Sequence, residues 1–209
     1  MTTARHGELE IPSTATPPPS RGAQLSSGML SMIFFIGSEV MLFGSFFTAY
    51  FFVRFNIADQ WPPLNSAGEP FELPKVITGV NTAILVASSF TLHWGEHRFR
   101  HFNDRKALRR GLLVTLLLGA TFLIIQINEY IHLGFTPQDT AFGSSFYLLT
   151  GAHGLHVFVG LTILTLCLIR VTKARDFTPT SFTPLGAGSL YWHFVDVVWV
   201  LLFILVYLI

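Results

Sequence analysis

Three carboxyl groups interrupt long apolar stretches of this chain and are the first candidates for chemistry: Glu39, Glu129 and Asp196. A charged group at the centre of a bilayer costs about 2.5–3.5 kcal/mol on insertion scales, so such residues persist where a partner or a function holds them. Buried carboxyl and imidazole groups are also the parts from which membrane proton relays are built. We therefore expect a protein interior that is polar in a few places, and its function should be sought there.

Histidines accompany these carboxyl groups at helical spacing. His153 and His156 lie three residues apart in one apolar segment, and His193 and Asp196 have the same spacing in another. This spacing places each pair on one side of a helix. At the helical rise per residue, Glu39 lies about 15 Å inside its segment, within about one to two turns of the depths of His156 and His153. We expect Glu39 to pair with His156, or with His153 one turn further out.

Metal binding is the main alternative interpretation of these groups. Glu129 and His132 have the spacing of half a di-iron site, but the second such motif and the two further glutamates at one depth are missing. The single cysteine, Cys167, excludes a site with two thiolates within the chain. His153 and His156 could bind a metal, although imidazoles more often hydrogen-bond to neighbouring helices. We expect no catalytic residue, no cofactor and no metal in this chain.

A further group of histidines lies beside a strongly basic segment. His93 is near the end of the second apolar segment, and His97, Arg98, Arg100 and His101 follow it closely. Long or amphipathic basic side chains at a membrane boundary reach the headgroup region and contact anionic lipids. We therefore expect His93, His97, Arg98 and Arg100 to contact lipid headgroups, and we interpret the three histidines as interfacial residues without a metal.

Composition and hydropathy identify the elements that must position these residues. Hydrophobic residues make up 51 % of the 209 positions and charged residues 12 %, about half the charged fraction of soluble domains. A membrane-spanning helix needs about 20 predominantly apolar residues. Five segments qualify: Met29–Val53, Val76–Trp94, Leu112–Tyr130, Ser145–Ile169 and Leu190–Ile209. The sequence predicts an all-α integral membrane bundle of five helices over residues 28–209, with sequential helices as antiparallel neighbours.

The remaining segments are predicted to be connections and a tail. Residues 1–27 contain three consecutive prolines among Ser and Thr and have no apolar core of signal-peptide type, which indicates a flexible tail. Trp61, Pro62 and Pro63 in the first connection are predicted to form a rigid outer cap, because proline enforces an extended backbone. Small residues inside the helices are expected to permit close helix approach; among them are Gly37, Gly44, Gly151, Gly154 and Gly160.

Lys and Arg residues are distributed unevenly among the connections. Eleven of the thirteen lie in the tail and in the second and fourth connections, and the other two are Arg54 and Lys75. Because cytoplasmic connections are enriched in Lys and Arg, we expect the N-terminus to be cytoplasmic and the C-terminus to lie outside. The basic run over residues 98–110 is interpreted as a topology determinant and anionic-lipid contact, not as a nucleic-acid site.

Several short strings, in order along residues 27–209, carry a family resemblance. They are Ser38–Val40, Trp61–Pro63, Asn81–Thr82, Leu85–Ser89, Gln126–Tyr130, Gly143–Phe146, Thr150–Val157 and Tyr191–Trp199. Together they resemble subunit III of the haem–copper terminal oxidases, and most closely the cytochrome c oxidase form. The two longest strings, TGAHGLHV and YWHFVDVVW, are the most specific. The likeness is to the short form, which lacks the first two of seven helices.

The resemblance implies an accessory, cofactor-free membrane subunit of an aerobic oxidase that reduces oxygen to water and pumps protons. Haem and copper would be held by partner subunits I and II, and further small subunits could be neighbours. This chain would pack on subunit I, stabilise it during turnover, and support proton uptake and oxygen delivery with bound phospholipid. Glu39 matches the family's membrane-embedded carboxyl group known for carbodiimide reactivity. The implied location is the plasma membrane of a prokaryote.

Two other functions are compatible with the residues. One is subunit III of a quinol oxidase, which the presence or absence of two-copper ligands in the neighbouring subunit II would distinguish. The other is an autonomous proton or ion transporter built on the same carboxyl groups. A transporter should function alone in liposomes, whereas an accessory subunit should purify with haem-containing partners.

Overall fold

Five long helices make up the part of the chain that the computed structural model describes, which is residues 26–56, 61, 73–173 and 183–209. The helices are α1 (Ser27–Asn56), α2 (Lys75–Phe102), α3 (Arg105–His132), α4 (Ala141–Lys173) and α5 (Thr183–Leu202), which continues into a π-helical segment, Phe203–Leu208. All five are long and apolar enough to cross a membrane, and the described ranges contain no strand. The predicted five-helix fold is confirmed. The predicted tail, apart from Ser26 and Ser27, and the prolines of the predicted cap lie outside the described residues.

The helices extend beyond the predicted apolar segments, most of all around the basic connection. α2 continues for eight residues past Trp94, and α3 begins seven residues before Leu112. Charged residues end an apolar stretch, but Arg, Lys and Glu are good helix formers. Most of the connection over residues 98–110 is therefore helical, and only Asn103 and Asp104 separate α2 from α3.

The turn between α2 and α3 is built by two residues suited to helix ends. Asn103 adopts a left-handed conformation with φ of 50°, and its N–H donates to the carbonyl oxygen of Phe99. Asn is one of the few residues other than Gly that adopts this conformation readily. Asp104 caps α3, because its Oδ1 accepts hydrogen bonds from the N–H groups of Lys106 and Ala107 at 3.1 and 3.0 Å. The basic end of the bundle, which carries this turn, is thus a tight helical hairpin.

The bundle has α5 near its centre, in contact with α1, α2 and α4. α2 packs most extensively on α3, and α3 also packs on α4. The expectation that all sequential helices are neighbours is wrong for the first pair, because α1 packs chiefly on α4 and α5. Only Phe43 and Tyr50 of α1 are buried within this chain.

Two tryptophans anchor α5 in the core. The Trp192 indole N–H donates to Ser88 Oγ at 3.1 Å, and the Trp199 indole N–H donates to Thr82 Oγ1 at 2.9 Å. Both rings are buried, so each large apolar surface is covered and its single donor is paired, as buried indoles require. These two bonds fix α5 against α2.

Of the five glycines predicted to permit close helix approach, only Gly160 does so within this chain. A Cβ on Gly160 would lie 2.8 Å from the Trp192 ring, which agrees with the prediction for this residue. The prediction is wrong within this chain for Gly37, Gly44 and Gly151, because a Cβ there would have nothing within 4 Å. At Gly154 the nearest atom would be 3.9 Å away, an ordinary contact.

Helices α2 and α3 approach each other closely enough for their backbones to be in contact. A Cβ on Gly111 would lie 2.8 Å from the Thr91 carbonyl oxygen and 3.0 Å from the Gly95 Cα. One turn further along α3, Thr91 Oγ1 and Thr115 Oγ1 are hydrogen-bonded at 2.8 Å. Because the obstructing atoms are backbone, the helices would have to separate to admit any side chain at Gly111.

Gly111→Ala is therefore expected to destabilise the hairpin. Overpacking of a close contact costs about 1–3 kcal/mol, which exceeds the gain of up to about 1 kcal/mol in helix propensity. Gly151→Ala is the matched control, since its Cβ meets open space within this chain. Thermal unfolding of both variants in one detergent should show a lower midpoint for Gly111→Ala only. Equal midpoints would contradict the backbone contact.

Candidate functional site

The central polar contact joins α1 to α4. Glu39 Oε2 lies 2.8 Å from His156 Nε2, and each side chain is 13 % exposed. His156 Nδ1 lies 2.7 Å from the carbonyl oxygen of Ala152 in its own helix. The ring of Phe43 packs against the imidazole at 5.0 Å, and the Tyr191 hydroxyl donates to the His156 carbonyl oxygen at 3.3 Å. His156 is thus the one of the two predicted partners that Glu39 contacts.

This geometry fixes how many protons the pair holds. A carbonyl oxygen can only accept, so His156 Nδ1 must carry a hydrogen to bond to Ala152. The remaining contact, between His156 Nε2 and Glu39 Oε2, then needs one proton. Whether that proton sits on the carboxyl group or on the imidazole, the pair is neutral overall. A neutral pair is the form that an apolar membrane interior tolerates, and it ties α1 to the bundle.

His153 contacts other helices than His156 does, although the two are three residues apart. Its ring lies 4.8 Å from the Trp199 ring on α5 and 6.0 Å from the Phe122 ring on α3. Its side chain is fully buried, and neither ring nitrogen has a hydrogen-bond partner among the described residues. The hydrogen bond to a neighbouring helix that we expect for both histidines is therefore present for His156 only.

Glu129 is held at the opposite end of the bundle from the basic turn. It is 6 % exposed, and its Oε1 accepts a hydrogen bond from the Tyr207 hydroxyl at 2.9 Å. Its Oε2 lies 3.1 Å from Thr78 Oγ1. His132 does not share this contact, because its Nδ1 bonds to the carbonyl oxygen of Asn128. Glu129 and His132 therefore make separate hydrogen bonds and do not form a joint site.

Polar residues line a groove between α2 and α5, which run antiparallel. Three pairs lie side by side along it: Ser89 with Asp196, His93 with His193, and Glu96 with Ser189. The two parts of the groove adjoin each other, because His93 and His193 line both. We call these six residues the α2–α5 groove. It brings the predicted residues His193 and Asp196 together with His93 and leads from the basic end into the membrane span.

Glu96 is the functional candidate that the sequence analysis missed. It is 6 % exposed and lies 4.0 Å from the guanidinium of Arg100, although it follows the predicted end of the second apolar segment. The detectable signal was spacing, because Ser89, His93, Glu96 and Arg100 recur every three to four residues and so occupy one face of a helix.

The basic residues at the mouth of the groove divide into two sets. Arg100, His97 and His101 border the groove together with His93, and the rings of His97 and His101 are 4.4 Å apart. Arg98 belongs to the turn, because its guanidinium lies 4.9 Å from the ring centre of Phe102 and 3.8 Å from Asp104. The structure therefore brings three of the four predicted headgroup contacts together and places Arg98 elsewhere.

Metal binding finds no preformed site in the described part of the chain. No group of three or more His, Cys, Asp or Glu side chains there has an arrangement that could hold a metal ion. Cys167 is buried, with its thiol 3.9 Å from the carbonyl oxygen of Pro184, as expected of a small apolar residue. The polar side chains of the bundle thus occur in separate places: the Glu39–His156 pair, the Glu129 site, His153 and the α2–α5 groove.

Comparison with known proteins finds relatives that match most of the chain. A family model described as "Cytochrome c oxidase subunit III" matches residues 19–209. Cytochrome c oxidase subunit 3 of Drosophila yakuba is 42 % identical over 181 residues, 84 % of this chain and 67 % of that protein. The protein of the same name from Synechocystis is 40 % identical over 210 residues, 100 % of this chain and 87 % of that protein. The one from Pan troglodytes is 38 % identical over 197 residues, 92 % of this chain and 71 % of that protein. By these matches, the chain belongs to the cytochrome c oxidase subunit III family.

Proposed function

We propose that this chain is a non-catalytic, cofactor-free subunit of a proton-pumping cytochrome c oxidase in the plasma membrane of a prokaryote. The observation that carries the proposal is the commitment of the polar groups to separate contacts within the bundle. Glu39 is paired with His156, and Glu129 is bonded to Tyr207. Groups used in this way stabilise a membrane protein; they are not arranged around a reacting centre.

The proposed partners are oxidase subunit I, in direct contact, and subunit II, with further small subunits as additional neighbours. Haem and copper belong to subunits I and II in this proposal. The chain stabilises subunit I during turnover and supports proton uptake and oxygen reduction by the complex. The relatives support an oxidase assembly, since each is named as a subunit of cytochrome c oxidase. The proposed orientation has the N-terminus in the cytoplasm.

We propose further that the mouth of the α2–α5 groove holds a phospholipid headgroup. Arg100, His97 and His101 offer donors to a phosphate, and Met29 and Leu190 border the same cavity with apolar side chains. This combination fits an amphipathic ligand at a membrane boundary. The proposal is supported by the position of these basic and apolar side chains around one cavity.

Two alternatives lead to different partners. A quinol oxidase subunit III would purify with a subunit II that lacks the two-copper ligands. An autonomous transporter needs a continuous polar path, whereas the Glu39–His156 pair lies between α1 and α4 and the Glu129 site lies between α2, α3 and the end of α5. The separation of these contacts favours the accessory subunit.

Mild-detergent purification through a tag on this chain tests the assignment. The chain should carry haem-containing partners with it, which haem spectra and identification of the co-purifying chains will show. Once separated from its partners, it should contain no stoichiometric metal by elemental analysis. Purification as a lone chain that transports protons or ions in liposomes would contradict the proposal, and a subunit II without copper ligands would indicate the quinol form.

The headgroup contact predicts a difference between two neighbouring arginines. Arg100→Gln removes a charge at the cavity and should lower the phospholipid retained per complex, as counted by mass spectrometry. Arg98→Gln is the matched control, because its guanidinium lies over Phe102, and it should retain the wild-type lipid count. An equal loss in both variants would indicate general surface charge, and no loss in either would exclude Arg100 as a headgroup ligand.

Substitution of Glu39 should affect durability and leave the chemistry intact. Glu39→Ala leaves His156 Nε2 without its partner, which costs about 1–3 kcal/mol for a buried polar group. Glu39→Gln is the matched variant, because its amide can donate to Nε2 of neutral His156. Glu39→Ala should show wild-type haem spectra and initial oxygen consumption but severalfold fewer turnovers before inactivation, with Glu39→Gln closer to wild type.

Two outcomes would overturn this interpretation of Glu39. Immediate and complete loss of oxygen consumption in a fully assembled Glu39→Ala complex would place Glu39 on an obligatory proton path. Equal inactivation of the Glu39→Gln and Glu39→Ala complexes would show that the hydrogen bond to His156 is not what matters. Oxygen-electrode traces recorded to exhaustion, with subunit content checked before and after, provide both measurements.

A further inference from the structure

The interior of the bundle contains polar side-chain atoms that have no hydrogen-bond partner among the described residues. His153 is fully buried between the rings of Trp199 and Phe122. Neither of its ring nitrogens has a hydrogen-bond partner among the described residues. A neutral imidazole carries one donor and one acceptor, so His153 brings at least two unmet hydrogen-bonding groups into the membrane interior.

Two buried amides occur on the neighbouring helices α2 and α3. Asn81 on α2 is fully buried and donates through Nδ2 to the carbonyl oxygen of Phe122 at 3.2 Å, while its Oδ1 has no partner in the described part of the chain. Gln126, one turn after Phe122 on α3, is 2 % exposed, and its amide lies beside the hydroxyl groups of Tyr130 and Tyr207 without a hydrogen bond of good geometry to the described residues. Phe122 thus connects the three residues, since its ring packs on His153 and its carbonyl oxygen bonds to Asn81.

Buried polar groups in folded proteins are nearly always paired, with protein or with ordered water. The cost of leaving them unpaired is greatest in a bilayer, where lipid offers no hydrogen bonds. A buried water molecule typically makes about three hydrogen bonds and needs a polar site with two to four partners. His153, Asn81 and Gln126 carry such donors and acceptors on α4, α2 and α3.

We propose that the buried polar side chains His153, Asn81 and Gln126 form an internal site that binds water inside the membrane span. The site goes beyond the proposed oxidase role and holds for any function of the bundle. His153 differs in this respect from His156, whose two ring nitrogens already have protein partners.

A route for water to reach the site follows from the neighbouring contacts. Gln126 lies beside the hydroxyl group of Tyr207, and Tyr207 donates to Glu129. Glu129 in turn lines a cavity with Asn128 and His132 at the end of the bundle opposite the basic turn. From Glu129 to Phe122 is seven residues of α3, about 10 Å along the helix. Polar groups thus continue from Gln126 to the cavity at the Glu129 end.

A density map of the purified complex at a resolution that shows ordered water is the direct test. We expect water peaks about 2.7–3.2 Å from a ring nitrogen of His153, with a second contact to Asn81 Oδ1 or to Gln126. A map in which the His153 ring bonds directly to a protein side chain would overturn the proposal. A map in which only carbon atoms surround the ring would do the same.

Water-edited solid-state NMR of the complex with ¹⁵N-labelled histidine gives an independent measurement. Magnetisation from water protons should reach the ring nitrogens of His153 severalfold faster than those of His156, the matched control three residues away on α4. The variants His153→Gln and His156→Gln assign the two signals. Equal and slow transfer to both histidines would overturn the proposal, whether or not either variant is less stable than the wild type.

Discussion

A bilayer interior offers no water to a polar group, and this constraint decides how the five helices fit together. Within the membrane span, the carboxyl groups of Glu39 and Glu129 both lie where helices meet and are hydrogen-bonded across the contact. Glu39 joins α1 to α4 through His156, and Glu129 joins α3 to α2 and to the end of α5 through Thr78 and Tyr207. Polar contacts thus contribute to which helices are neighbours, since the hydrophobic effect does not drive association between helices in lipid.

Backbone proximity supplies the second part of the stability, because close packing replaces the hydrophobic effect between membrane helices. Gly111 and Gly95 bring α2 and α3 into backbone contact, and Gly160 admits the ring of Trp192. The indole of Trp192 then reaches Ser88 on α2. A large ring placed over a glycine therefore combines dispersion contact with a hydrogen bond, and both hold α5 at the centre of the bundle.

The sequence predicted how deep each polar residue lies in the membrane, but it did not predict which neighbouring helix each residue faces. Depth follows from counting residues, so the five spans and the contact between Glu39 and His156 were predictable. Which way a residue faces also depends on which helices are neighbours. The separate directions of His153 and His156, and the open space at Gly37 and Gly44, were therefore not predictable. Glu96 was missed for a different reason, because hydropathy ended the second segment at Trp94 while the helix continues.

The distribution of polar groups also bears on what a protein of this family can do within an oxidase. The Glu39–His156 pair holds one proton between its two side chains and remains neutral, so a proton passing through it would have to leave one of the two unpaired in an apolar setting. The α2–α5 groove differs, because His93, His193 and Asp196 line a cavity and Asp196 Oδ1 has no partner among the described residues. The pair is therefore suited to holding helices together, whereas the groove is the part of the bundle suited to meeting a ligand from the membrane boundary.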